Sequence, residues 1–227
     1  MGVLVAPSAH AQRQAVRQTS LKSQCVSKTP APGRVLMRFV VEERTDALRE
    51  EQSRHGDIAF ISLAAQRGEL KWKPLKWLQI ALLRWPATLI GKMDADTYIW
   101  PCMLLRDLQR SIDADAARDP ASAIQTRRGG PLSAPSDWFD HSHDLYYGLQ
   151  MLWHGCAKRG PPPLTCYAQG GLYILSRGFI NWTRTSEGFR KHVRTHSPIG
   201  YAFEDAYLGW WLRKYAEERG DARSAAL

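Results

Sequence analysis

Through the first half of the chain, short apolar runs alternate with stretches of helical length, an order that a mostly parallel sheet flanked by helices accommodates best. Gly2–Ala6 (GVLVA) is a continuous apolar run stopped by Pro7, as in a strand buried on both faces. Ala9 to Thr19 has helical spacing, with Ala11, Ala15 and Gln18 marking one face and arginines the other. Ser20 to Gly33 is polar, carries two prolines and reads as loop. Val35–Val41 is the expected second strand, Thr45 to Arg54 a polar helix capped by Thr45, His55 to Asp57 a turn, and Ile58–Ile61 a third strand. Leu75, Leu78, Leu82 and Trp85 recur at helical spacing within Lys73 to Arg84 and its flank, and Pro86 stops that helix. Thr88–Gly91 is a short apolar strand that runs into Lys92-Met93-Asp94-Ala95-Asp96. Pro101 suits a first helical position, and Leu104, Leu105, Leu108 and Ile112 give the following helix its stripe.

The second half is less regular. Ala114 to Asp144 mixes Pro, Gly, Ser, Asp and Arg with little periodicity, which predicts a long surface excursion. Leu145–Tyr147 and Leu172–Leu175 read as strands, and Ser176 as the cap of a helix running toward Trp182. Phe203 to Arg219 is the expected last helix, with Tyr207, Trp210, Trp211 and Tyr215 on its apolar face and Gly220 as its stop. No internal repeat is present. The expectation is one α/β domain over 1–227, cut short at both ends.

Hydrophobic residues make up 44% and charged residues 23%, the balance of a folded domain rather than a disordered one. Lys and Arg total 31 against 22 acids, a net charge of +9, which favours anionic partners, although a solvated basic surface gives the same count. Cys25, Cys102, Cys156 and Cys166 form no CxxC pair, which argues against a zinc ribbon; their spacing neither demands nor excludes disulfides. No apolar run reaches the roughly 20 residues that cross a bilayer, and the opening residues lack the basic region of a signal peptide.

Four clusters carry candidate chemistry. Asp94 and Asp96, read on extended backbone, would project to one side at the carboxyl edge of a strand, where parallel sheets bind ligands. Hard carboxylate oxygens suit Mg²⁺ or Mn²⁺ bridging to a diphosphate, although two solvated aspartates in a turn give the same pattern. Glu204-Asp205 opens the last helix, where acids either complement the helix dipole or serve as a general base. Arg13 and Arg17 lie one helical turn apart after the first strand, placed for phosphates or for solvent. Gly170-Gly171 precedes a strand and permits close backbone approach to a ligand, or simply a turn.

In order, these clusters resemble the β1,3-galactosyltransferase family, which includes β1,3-N-acetylglucosaminyltransferases. The family's R-x-x-I-R-x-T-W is similar to the stretch from Arg13 to Ser20, its Y-G-D-I-I to His55-Gly56-Asp57-Ile58-Ala59, and its L-T-L-K-T to Leu70-Lys71-Trp72-Lys73-Pro74. Its K-x-D-D-D-x-F resembles Lys92 to Tyr98, its Y-x-x-G-G-G-Y-V-L-S resembles Tyr167 to Ser176, and its E-D-V-x-x-G resembles Glu204 to Gly209. Ser20, Ala95 and Leu172 depart from the pattern, standing where the family has tryptophan, the middle acid and the third glycine.

The resemblance implies an A-type glycosyltransferase fold, Rossmann-like, and a hexosyltransferase. It would move galactose or N-acetylglucosamine from a UDP-sugar to a glycan, glycoprotein or glycolipid acceptor, in β1,3 linkage with inversion. It implies Mn²⁺ (or Mg²⁺) held by Asp94 and Asp96, with Asp96 the closer ligand, and Asp205 as the catalytic base. Arg13, Arg17, Lys73, Asp94, Ala95, Asp96, Gly170 and Gly171 would form the nucleotide-sugar site. The implied location is the Golgi membrane, with a lumenal catalytic domain and an anchor that this sequence does not show. Two other readings use the same residues: a different metal-dependent phosphate-handling enzyme, or a non-catalytic basic binding module. The second lacks a recognised nucleic-acid motif.

Overall fold

Six strands form one sheet in the order β5-β4-β1-β6-β8-β7. They are β1 (Gly2–Leu4), β4 (Arg38–Val41), β5 (Ile58–Phe60), β6 (Leu89–Asp94), β7 (Tyr146–Met151) and β8 (Tyr167–Ser176). The computed structural model describes residues 1–62, 72–118, 145–151, 167–195 and 204–219. Strands β5, β4, β1 and β6 run parallel, whereas β8 pairs antiparallel with both β6 and β7. The expected α/β sheet is therefore present, mostly parallel, with an antiparallel flank.

The helices are α1 (His10–Gln18), α2 (Asp46–His55), α3 (Trp72–Arg84), α4 (Pro101–Arg118), α5 (Arg177–Thr185), α6 (Glu187–Thr195) and α7 (Glu204–Glu218). Alternate residues of each strand feed two separate cores, as the two-residue period of a strand requires. Val40, Ile90, Tyr173 and Leu175 join Leu75, Trp77 and Leu78 of α3, Phe179 of α5 and Trp211 of α7 in one. Phe39, Val41, Met93 and Ile174 join Val16 of α1, Leu48 of α2 and Leu104 and Leu108 of α4 in the other. The molecule is thus layered helix, sheet, helix. Each buried leucine of α3 and α4 contributes roughly 1.5–3 kcal/mol relative to exposure.

Local chemistry explains the boundaries. The Thr45 hydroxyl accepts the Leu48 amide and caps α2. Gly56, at φ 70°, ends α2 in the left-handed region, which glycine enters without strain. The Trp77 indole donates to the Gly91 carbonyl at 2.9 Å and lies so close over Gly2 that any Cβ there would overlap the ring.

Several expectations need correction. Ala11, Ala15 and Gln18 face solvent, while Arg13 and Val16 form the buried face of α1. The single strand expected over Val35–Val41 is split at Met37. Val35–Leu36, labelled β3, pairs in parallel with Val26–Ser27, labelled β2, and only Arg38–Val41 joins the main sheet. The segment read as loop from Ser20 therefore contains a 3₁₀ turn, Ser20–Lys22, and a strand. Helix α4 continues to Arg118, into the stretch expected to be an excursion from residue 114; the remainder, 119–144, lies outside the described residues. Ser176 occupies the cap position of α5, but its side chain makes no capping bond.

Cys25 and Cys102 form a disulfide across a sequence separation of 77 residues, joining the segment before β2 to the first turn of α4. Cys156 and Cys166 lie outside the described residues. Among the described residues no helix is long and apolar enough to cross a membrane.

Candidate active site

Parallel strands place their carboxyl ends along one edge, and most of the candidate residues gather there. Asp94 is the last residue of β6, in register with Leu4 at the end of β1. The chain does not continue extended: Thr97 donates its amide to the Asp94 carbonyl at 3.1 Å and closes a turn over Ala95 and Asp96. Asp94 therefore opens the turn and Asp96 lies within it, and the strand-periodicity argument for their sharing a side does not apply. Ala95 packs partly against the second core, while Asp96 is exposed. Asp94 is 42% exposed.

Lys92 is the residue on which the site is assembled. Its side chain is 1% exposed. A buried ammonium requires partners, and Lys92 has them: the Asp94 carboxylate at 2.8 Å, the Gly170 carbonyl, and the face of Tyr173 at 5.5 Å from the ring centroid. Sequence reasoning assigned Lys92 no role. The available signal was a lysine inside the apolar run Leu89–Asp94, a position that only a paired lysine tolerates.

Strand β8 brings the glycines to this edge, because it runs antiparallel to β6 with Met93 opposite Leu172. A Cβ on Gly171 would come within 3.1 Å of the Thr97 hydroxyl, so a small residue fits where β8 meets the turn. The Gly170 amide donates to the Asp205 carboxylate at 2.9 Å. Asp205 is the second residue of α7 and is partly buried. Gly170 thus accepts from Lys92 with its carbonyl and donates to Asp205 with its amide, linking β6, β8 and α7.

Lys73, in the first turn of α3, is buried with its ammonium 3.0 Å from the Val5 carbonyl and 3.0 Å from the Glu42 carboxylate. Val5 and Glu42 directly follow β1 and β4, so Lys73 belongs to the same edge. Glu42 is a second residue that sequence reasoning did not single out.

The two arginines are placed differently. Arg13, 2% exposed, bonds Glu51 in bidentate fashion at 2.9 and 2.7 Å and donates to the Ala6 and Pro7 carbonyls at 3.1 Å each. Arg17 bonds Asp57 at 2.8 and 2.7 Å and Glu51 at 2.6 Å, with its guanidinium 5.0 Å over the Phe39 ring. The Arg13 hydrogen bonds, opposed by burial and reinforced by Arg17, hold the Glu51 carboxyl at about 2 instead of 4.5. Burial disfavours the Arg17 charge, but Asp57 and Glu51 outweigh it and raise its pKa. These four charges tie α1 to α2 and to the approach to β5; their donors and acceptors are engaged with one another.

Among the described residues no group of three or more His, Cys, Asp and Glu side chains is arranged to hold a metal. Asp94 and Asp96 offer two hard oxygen donors at an open edge. That fits Mg²⁺ or Mn²⁺ of the kind that completes its shell with substrate phosphates and water. It does not fit a closed structural metal site.

The sequence model of the family described as Galactosyltransferase matches residues 11–222. Mouse beta-1,3-galactosyltransferase 6 is 29% identical over 93% of this chain. The alignment covers 59% of the mouse protein's own length.

Proposed function

Because the chain belongs to the galactosyltransferase family, we propose that it transfers a hexose, galactose in the first instance, from a UDP-sugar to a hydroxyl of a glycan acceptor, with inversion and in β1,3 linkage. N-acetylglucosamine is the second donor to test. The observation that carries the reading is the linkage of Asp94, Gly170 and Asp205 through Lys92 at the carboxyl edge of the sheet, with Asp96 exposed in the adjoining turn.

In this reading Asp205 takes the proton of the acceptor hydroxyl, whose oxygen attacks the anomeric carbon as the bond to the diphosphate breaks and UDP leaves. A single displacement inverts that carbon. The Gly170 amide orients the Asp205 carboxylate, and Lys92 orients Asp94. Asp94 and Asp96 would hold Mn²⁺ or Mg²⁺, which when bound neutralises charge developing on the leaving diphosphate. Gly171 leaves room beside the turn, and Lys73 fixes the ends of β1 and β4 beneath the nucleotide. Arg13 and Arg17 are engaged by Glu51 and Asp57 and brace α1 against α2 and the approach to β5, and Arg13 also holds the Ala6 and Pro7 carbonyls after β1.

The Cys25–Cys102 disulfide favours an oxidising compartment, in keeping with a lumenal site in the secretory pathway. Transfer assays with UDP-galactose and UDP-N-acetylglucosamine, with Mn²⁺ or with chelator, test the reading. Expected is sugar transfer that stops on chelation. A chain that cleaves nucleotides but never builds a glycosidic bond would instead be another metal-dependent phosphate enzyme.

A further inference from the structure

Large apolar side chains are rarely left exposed together without a use. Tyr98 is 62% exposed, Trp100 68% and Met103 48%, all within six residues of one another. They border a cavity of about 400 Å³, together with Thr19, Ser20, Lys22, Ser23 and Gln24 from the opposite wall. A cavity of roughly 300–1,000 Å³ with aromatic walls and a few polar groups suits a small ligand. Among the described residues the side chains of Lys22, Gln24, Tyr98 and Trp100 make no hydrogen bond within the protein. An ammonium, a carboxamide, a phenol and an indole N–H are thus on offer around two exposed rings.

The platform is held in place. Ile99, between the two rings, is buried, and its carbonyl accepts the hydroxyl of the buried Ser20 at 3.1 Å. Pro101 starts α4 and the Trp100 carbonyl accepts the Leu104 amide at 2.9 Å, so the backbone of Trp100 is fixed by the helix. The Cys25–Cys102 disulfide binds the two walls together. Pre-organised walls lower the ordering cost of binding. Tyr98 follows directly on Thr97, which closes the turn after Asp94, so the platform is the next stretch of chain after the candidate metal-binding turn.

A pyranose ring matches this lining. It has an apolar C–H face that rests on an aromatic ring and a rim of hydroxyls that both donate and accept. We propose that this cavity is a glycan subsite, with a sugar ring of the acceptor on Trp100 and Tyr98 and its hydroxyls bonded by Gln24 and Lys22. The assignment to the acceptor rests on the glycosyltransferase reading; sugar binding itself does not.

Saturation-transfer NMR with methyl β-D-galactopyranoside, methyl β-D-xylopyranoside and lactose tests it, beside calorimetric titration with UDP and Mn²⁺ on the same samples. Expected is saturation transfer to the ring C–H protons of at least one sugar, reduced tenfold or more in Trp100→Ala and Gln24→Ala, with UDP binding unchanged. Both positions are exposed or lie at the cavity rim, and the melting temperature of each variant checks its fold. Ser20→Trp, which fills the cavity, should have the same effect. No transfer to any of the sugars, or transfer undiminished in Trp100→Ala, overturns the subsite. So does sedimentation showing a dimer that Trp100→Ala dissociates, since the rings would then serve a second copy. Sugar binding without UDP binding would overturn the donor reading alone.

Discussion

Asp205 accepts the Gly170 amide proton at 2.9 Å, and that bond fixes the first turn of α7 against the start of β8. Because the Gly170 carbonyl receives Lys92, which also pairs with Asp94, the carboxylate proposed as base and the carboxylate proposed for metal share one scaffold. Substitutions at the two ends should separate binding from turnover.

Asp205→Asn keeps the size of the side chain and an oxygen that can accept the Gly170 amide, but removes the base. UDP binding should persist while transfer falls by about 10²–10⁴-fold. Turnover within a few-fold of the parent would remove Asp205 from the proposed role.

Asp96→Ala deletes an exposed carboxylate of the turn, so the melting temperature should hold. Calorimetry should show UDP binding that no longer responds to Mn²⁺. A metal response equal to the parent's would assign the ion to other residues.

Glu51→Ala leaves two arginines without their shared carboxylate, one of them fully buried. Breaking a buried pair by removing one partner costs about 3–5 kcal/mol, which urea unfolding would report. Acid titration gives a second measure. A carboxyl whose pKa falls on folding stabilises the native state above its ordinary value of 4.5 and loses that contribution as the pH drops toward about 2. Parent stability should therefore fall between pH 5 and pH 2, and Glu51→Gln should flatten that part of the profile.

Cys25→Ser with Cys102→Ser removes the restraint that the disulfide places on the unfolded chain. For a closed loop set by a separation of 77 residues the chain-entropy loss is about 4.5 kcal/mol. At about 2–4 °C per kcal/mol for a chain of this size, the melting temperature should fall by roughly 10–20 °C. A loss of glycan binding in the same variant, with UDP binding kept, would tie the disulfide to the Trp100 platform.

The sheet and the candidate edge were legible because apolar runs and turn residues are local signals: the helix of Leu75, Leu78 and Leu82, the cap at Thr45 and the aromatic face of the last helix needed no distant information. The orientation of α1 was not. Arg13 and Arg17 read as a solvent face because a guanidinium is polar, and their carboxylates lie 34 to 40 residues away, on elements whose packing the spacing does not encode. The break at Met37 was hidden for a similar reason, since Val35–Leu36 leaves the sheet to pair with Val26–Ser27, a partner inside a segment that looked like loop. The turn at Asp94 was lost to the assumption that a strand persists past its last buried residue. Lys92 could have been recognised by its setting alone, but its partners, the Gly170 carbonyl and Tyr173, lie beyond the long irregular stretch.

The bond between Cys25 and Cys102 also makes the intervening chain a closed ring. That ring contains α2, α3, β4, β5 and β6, and with them Lys73, Asp94 and Asp96. A protease that cuts once anywhere inside it opens the backbone without releasing a fragment: the nicked protein keeps its mass on a non-reducing gel and separates into two bands only when a thiol is added. The residues proposed to hold the nucleotide would stay covalently tethered to the first strand and to the last helix even after the backbone joining them is severed.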